Sequence, residues 1–189
     1  MKRAKEYQKN VFCLEGDWAA DLSDRSSIKA ALNFMSHNFG VQYIYKQCGT
    51  KDNLQYYLDR WKNKKYKSYS ICYFAFHGQP GKLEVGKDLV TMEELAKMLG
   101  GACKNKIIHF GTCKVLYTEK KRIDEFLRET GALCVSGFQA DVDFLESSLF
   151  DMILIDMYQQ YLNMGKVEAA IKKNYRSLAH RLKFKLFHL

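Results

Sequence analysis

A chain of 189 residues with 47% hydrophobic and 27% charged residues, a single proline and no low-complexity tract has the composition of one folded domain, 1–189, and not of a disordered or repeat protein. The formal net charge of +9 comes largely from 62–67, 119–122 and the segment from Lys166 to Lys185. These clusters lack interleaved aromatic residues of a base-stacking kind, so they read as solvated faces and a nucleic-acid partner is not expected.

The N-terminal stretch MKRAKEYQKN is charged, and Glu15 and Asp17 interrupt the apolar run after it, which argues against a signal peptide. "VFCLEG" at 11–16 and "VQYIYKQC" at 41–48 read as strands around a helix, "DRSSIKAALNFMSHNFG". That helix is expected to have a serine or aspartate cap, an apolar stripe of Ile28, Leu32, Met35 and Phe39, and Gly40 as its stop. "DNLQYYLDRWKNKKY" follows as a helix. "SYSICYFAFHG" then reads as a central strand, because a continuous apolar run suits a strand covered on both faces.

"QPGKLEVGKDLVT" carries the turn residues of a small hairpin, and a short helix, "MEELAKMLGG", leads to a strand, "NKIIHFGTC". A helix ending on Gly131, a strand "ALCVSGF", and two helices beginning near Phe144 and Lys166 complete the pattern. Asp151 and Asp156 break the most apolar stretch, 147–162, so no membrane span is expected. Alternation of this kind predicts an α/β, three-layer fold, a mainly parallel central sheet with helices on both faces and a small hairpin insertion. The six cysteines lie mostly in apolar runs without a CxxC pair, as buried thiols of a reducing cytoplasm do.

In a parallel sheet the loops leaving the carboxyl ends of the strands form the crevice where ligands gather. His77 and Cys113 each end a predicted strand beside a glycine. A cysteine thiol needs a base to become a nucleophile, and histidine titrates in the range to serve as one. Gly78 and Gly111 let the backbone turn and let a carbonyl approach, and the N–H groups of Gly78 and Cys113 are candidate oxyanion donors. Taken singly, a cysteine or histidine at a strand end is more often a packed or hydrogen-bonded bystander; their joint placement argues for a catalytic pair.

His109, inside its strand, reads as a core histidine; His37, His180 and His188 are assigned to helices. No spacing of Cys103, His109 and Cys113 fits a known zinc site, and "GQPGKLEVGK" lacks the spacing of a phosphate-binding loop, so neither metal nor nucleotide cofactor is expected.

The order strand-His-Gly ("CYFAFHG"), hairpin and helix, strand-Gly-Thr-Cys ("IIHFGTC") and the block "VSGFQADVDFLESSLFDMILIDMYQQYLNMGKVEAAIKK" resembles the caspase-like cysteine peptidases, and among them the CHAT peptidases, over residues 11–175. The resemblance implies Cys113 as nucleophile, His77 as general acid–base and Gly78 as oxyanion donor. A protein or peptide would be the substrate, with a possible regulatory protein partner and a place in bacterial defence. It also implies that selectivity is set at the ends of the first and fifth strands. Both ends are acidic here, with Glu15 and Asp17 at the first and Asp141 and Asp143 at the second, and carboxylates facing the scissile bond would select a lysine or arginine before it. Asp143 also has the position of a helix cap. The alternative reading is a catalytically inactive caspase-like scaffold or protein-binding module.

Overall fold

The computed structural model describes residues 8–111 and 113–189, so the segment 1–7 and Thr112 of the Gly-Thr-Cys motif lie outside the described residues. The chain enters through β1 (Val11–Glu15), wholly buried, then α1 (Lys29–Phe39) and β2 (Tyr43–Gln47). α1 lacks the expected serine or aspartate cap. Its N-cap is Ile28, whose N–H donates instead to the Glu15 carboxylate at 2.8 Å. Ile28, Leu32 and Met35 are buried as the stripe predicts, whereas Phe39 is 45% exposed on the last turn before Gly40, which closes the helix at φ 65°.

α2 (Lys51–Trp61) is capped by Thr50, whose hydroxyl accepts the Asn53 N–H at 3.2 Å. A 3-10 turn at Lys64–Tyr66 replaces the helix's expected last turn, and β3 (Ile71–Ala75) follows. The strand expected to run on through Gly78 leaves the sheet after Ala75. His77–Gln79 form β4 of a separate three-stranded antiparallel sheet with β5 (Lys82–Val85) and β6 (Asp88–Thr91), where a hairpin was expected.

α3 (Met92–Leu99) opens with a capping box of Thr91 and Glu94. β7 (Ile107–Phe110), α4 (Lys120–Thr130), β8 (Cys134–Phe138) and α5 (Phe144–Gln160) follow the predicted order. The basic C-terminal segment is not one helix. It divides into α6 (Met164–Asn174), α7 (Arg176–Arg181) and an edge strand β9 (Phe184–Phe187), in which exposed Lys185 alternates with half-buried Phe184 and buried Leu186. His180 therefore lies on α7, and His188 lies beyond β9.

The main sheet has the order β2-β1-β3-β7-β8-β9, parallel except for β9, which pairs antiparallel with β8. Side chains of β3 alternate between two cores. Cys72 and Phe74, with Phe76 just past the strand, pack with α2, α3 and α4, while Ile71, Tyr73 and Ala75 pack with α1, α5 and α6. Helices thus cover both faces, and the fold is three-layered α/β. Strand order reverses at β1 and β3, which places the crevice of a doubly wound sheet at their carboxyl ends. Among the described residues no helix is long and apolar enough to cross a membrane.

Candidate active site

A cavity of about 270 Å³ opens at that reversal point. Trp18 enters it from the loop after β1, Tyr73 from β3 and His77 from β4; Gly111 and Cys113 come from the turn after β7, and Phe144 from the start of α5. The histidine and cysteine singled out in the sequence therefore share one cavity, delivered by separate elements.

The ring of His77 is exposed and lies 2.7 Å through Nε2 from the carbonyl oxygen of Trp18. A carbonyl can only accept, so Nε2 carries a proton, and in the neutral imidazole Nδ1 holds the lone pair. The indole of Trp18 meets the imidazole edge-on, with centroids 5.3 Å apart and planes at 78°. Trp18 is itself anchored, its Nε1–H donating to Glu15 Oε1 at 2.6 Å.

Cys113 is the one cysteine of the six that is not buried. Burial pushes the thiols of Cys48 and Cys134 up to about 12 and that of Cys103 to about 11, and raises Cys13 and Cys72 well above the usual thiol range. Five thiols are thereby held protonated at neutral pH. The N–H of Val142 donates to Cys113 Sγ at 3.4 Å, fixing the sulfur against the loop that leaves β8. Lys114 follows in a left-handed conformation, φ 56°, its N–H donating to Ala140 at 3.2 Å. Gly111 is required by packing, because a Cβ there would stand 2.2 Å from the Tyr73 ring.

Two chain segments that end on the reactive groups are tied together. Gly81, in the turn after His77, donates its N–H to the carbonyl of Val115 at 3.1 Å. Arg122 packs over Gly81 and grips Glu93 with two hydrogen bonds of 2.7 and 2.9 Å.

None of the four carboxylates expected at the scissile site lines this cavity. Glu15 is 1% exposed, and its carboxylate accepts from Trp18, from Ser27 Oγ at 2.5 Å and from the Ile28 N–H. It braces the loop after β1. Asp17 accepts from Gln47 Nε2 at 2.8 Å, and Asp141 is paired with Lys114. Asp143 is the N-cap of α5, accepting the Glu146 N–H at 2.9 Å. Glu15 and Asp17 line a neighbouring cavity of about 310 Å³ together with Asp21 and Asp24, and the two cavities share Trp18 and Ser26.

Below the cavity lies a polar network whose members lie far apart in sequence. Tyr73 donates to Asp151 Oδ2 at 2.6 Å, and Asp151 Oδ1 is 2.9 Å from His109 Nε2. His109 Nδ1 is 2.9 Å from Ser136 Oγ, which is 2.8 Å from the Tyr158 hydroxyl. His109 is a core histidine, as its strand position predicts. Burial, and then the Asp151 carboxylate, push the Tyr73 phenol well above its usual range, so it stays a neutral donor. Among the described residues no group of three or more His, Cys, Asp or Glu is placed to hold a metal ion.

Sequence reasoning passed over Trp18, Tyr73 and Asp151. Trp18, one of two tryptophans and two residues past the predicted end of the first strand, was the available signal. No curated protein matches the chain. The model of a family of unknown function, DUF6642, matches residues 8–188, nearly the whole chain, and the chain belongs to that family.

Proposed function

We propose that the chain is a cysteine endopeptidase of the caspase-like kind, with Cys113 as nucleophile and His77 as general acid–base, acting on a protein or peptide. The observation that carries the reading is the shared cavity. The one unburied cysteine and a histidine with a defined tautomer line it together, at the reversal point of a parallel sheet.

In this reading Nδ1 of His77 takes the thiol proton, and the sulfur attacks the scissile carbonyl to give a tetrahedral oxyanion. Gly78 lies on β4, the edge of the small sheet. The two-residue turn between Gln79 and Lys82 makes those two the hydrogen-bonded pair, so the Gly78 N–H is not spent on β5; Gly78 does not itself line the cavity, and in this reading its N–H joins that of Cys113 as an oxyanion donor. Collapse of the intermediate passes the proton from His77 to the leaving amine and leaves a thioester. Water, deprotonated by His77, then releases the acid and restores the thiol. Five thiols kept buried suit a reducing compartment, and the cytoplasm is the proposed location.

Alkylation of each cysteine by iodoacetamide, followed by peptide mapping, tests the pair. Cys113 is expected to react fastest, and to lose that advantage in His77→Ala. Cleavage of an unfolded protein substrate is expected to vanish in Cys113→Ala. Equal alkylation of Cys113 with and without His77, together with no cleavage, would instead identify a scaffold.

A further inference from the structure

The cavity around Cys113 and the carboxylates predicted to give it a basic preference are in different places. On the cysteine-peptidase reading above, we propose that the pocket beside Cys113 receives an apolar or aromatic side chain from the residue before the cleaved bond, and excludes lysine and arginine.

Its walls carry the argument. The Trp18 indole and the Phe144 ring meet edge-to-face, centroids 5.4 Å apart at 75°, and Ile28 and Val142 add aliphatic surface. The Tyr73 hydroxyl is turned away, donating to Asp151. Apart from the His77–Cys113 pair itself, the polar side chains that line the pocket are hydroxyls already donating to their own chain. Ser147 and Ser148 give their protons to the Phe144 carbonyl at 3.2 and 2.6 Å, and Ser26 gives its proton to Asp24 at 2.9 Å. No carboxylate lines the pocket among the described residues, and a cation taken out of water without a charged partner is disfavoured. At about 270 Å³ the pocket falls just below the usual range for whole small-molecule ligands, about 300–1,000 Å³, and suits one side chain. The carboxylates next door do not substitute, because Glu15 is 1% exposed and engaged by three donors of its own chain, and Trp18 stands between the two cavities as a wall of both.

The test is labelling of Cys113 by acyloxymethyl ketone probes that differ only in the side chain before the warhead: Phe, Leu, Lys, Arg or Asp. Phe or Leu probes are expected to label Cys113 at least about ten-fold faster than Lys or Arg probes, a ratio within reach of a hydrophobic pocket. Phe144→Glu, at a half-exposed wall position, is expected to shift the preference toward Lys and Arg. Faster labelling by Lys, Arg or Asp probes would overturn the pocket assignment and leave the peptidase reading standing. Failure of every probe to label Cys113, with no His77-dependent alkylation, would overturn both.

Discussion

The carbonyl of Trp18 and Nε2 of His77 lie 2.7 Å apart, so a backbone group from the loop after β1 sets the tautomer of a histidine on a different sheet. A carbonyl cannot be mutated away, but the loop presenting it can be loosened. On the proposed peptidase reading, His77→Ala is expected to lower kcat by about 10²–10⁴-fold, the usual worth of a positioned acid–base. Trp18→Gly frees that loop and removes the indole, so it is expected to lower kcat and raise KM together. Steady-state kinetics on a peptide substrate separates the two variants, and unchanged kcat in His77→Ala would remove the histidine from the chemistry.

Glu15 acts on the site through this same loop. Its carboxylate accepts from Trp18 Nε1, Ser27 Oγ and the Ile28 N–H, joining β1, the loop and the start of α1. Glu15→Ala strands the buried Ile28 N–H and two part-buried side-chain donors and is expected to cost about 1–3 kcal/mol, since a buried donor left unmade carries its desolvation penalty. Urea denaturation reads the loss. Direct substrate recognition by Glu15 predicts the opposite pattern, full stability with altered side-chain preference.

The fate of Glu15 shows what was legible in the sequence. Periodicity exposes the alternation of strands and helices and points to His77 and Cys113, although β3 stops at Ala75 and β7 at Phe110, so both residues follow their main-sheet strands and do not end them as expected. What an acidic residue touches does not follow. Glu15 at a strand end looks the same whether it faces a substrate or an indole, a hydroxyl and a helix N-terminus from other segments. Asp143 was readable because capping is local. The Tyr73–Asp151–His109 network was hidden for the reason Glu15 was: its members are 36 to 78 residues apart in pairwise sequence and meet only through β3, β7 and α5. β9 was obscured by its lysines, although Phe184, Leu186 and their neighbours alternate as an edge strand does.

Gly111 is expected to tolerate no side chain. An added Cβ would stand 2.2 Å from Tyr73 Cε2 and 2.5 Å from its hydroxyl, and Tyr73 cannot retreat because it is buried and bonded to Asp151. Gly111→Ala is expected to destabilise by about 1–3 kcal/mol, as overpacking does, and to displace the turn that carries Cys113. Thermal melting and the alkylation rate of Cys113 are expected to fall together. A stable variant with an unaltered rate would show that this turn has slack.

Stability is expected to decline at both ends of the pH scale for different reasons. Arg122 holds the Glu93 carboxylate down to about 2, so the folded protein keeps this group charged where the unfolded chain would protonate it. That contribution is present above the ordinary glutamate range and is lost as pH falls through about 2; it is small, because both partners are partly solvated. At high pH the buried thiols act in the other direction. Cys48, Cys103 and Cys134, at about 11–12, keep protons that the unfolded chain releases near 9, so unfolding releases protons and stability falls as pH rises from about 9. Tyr73 and Tyr158, whose phenols burial raises well above their usual range, add to the fall above about 10. Urea midpoints between pH 7 and 11 are expected to drop steeply above 9. Replacing Cys134 by alanine is expected to flatten that slope.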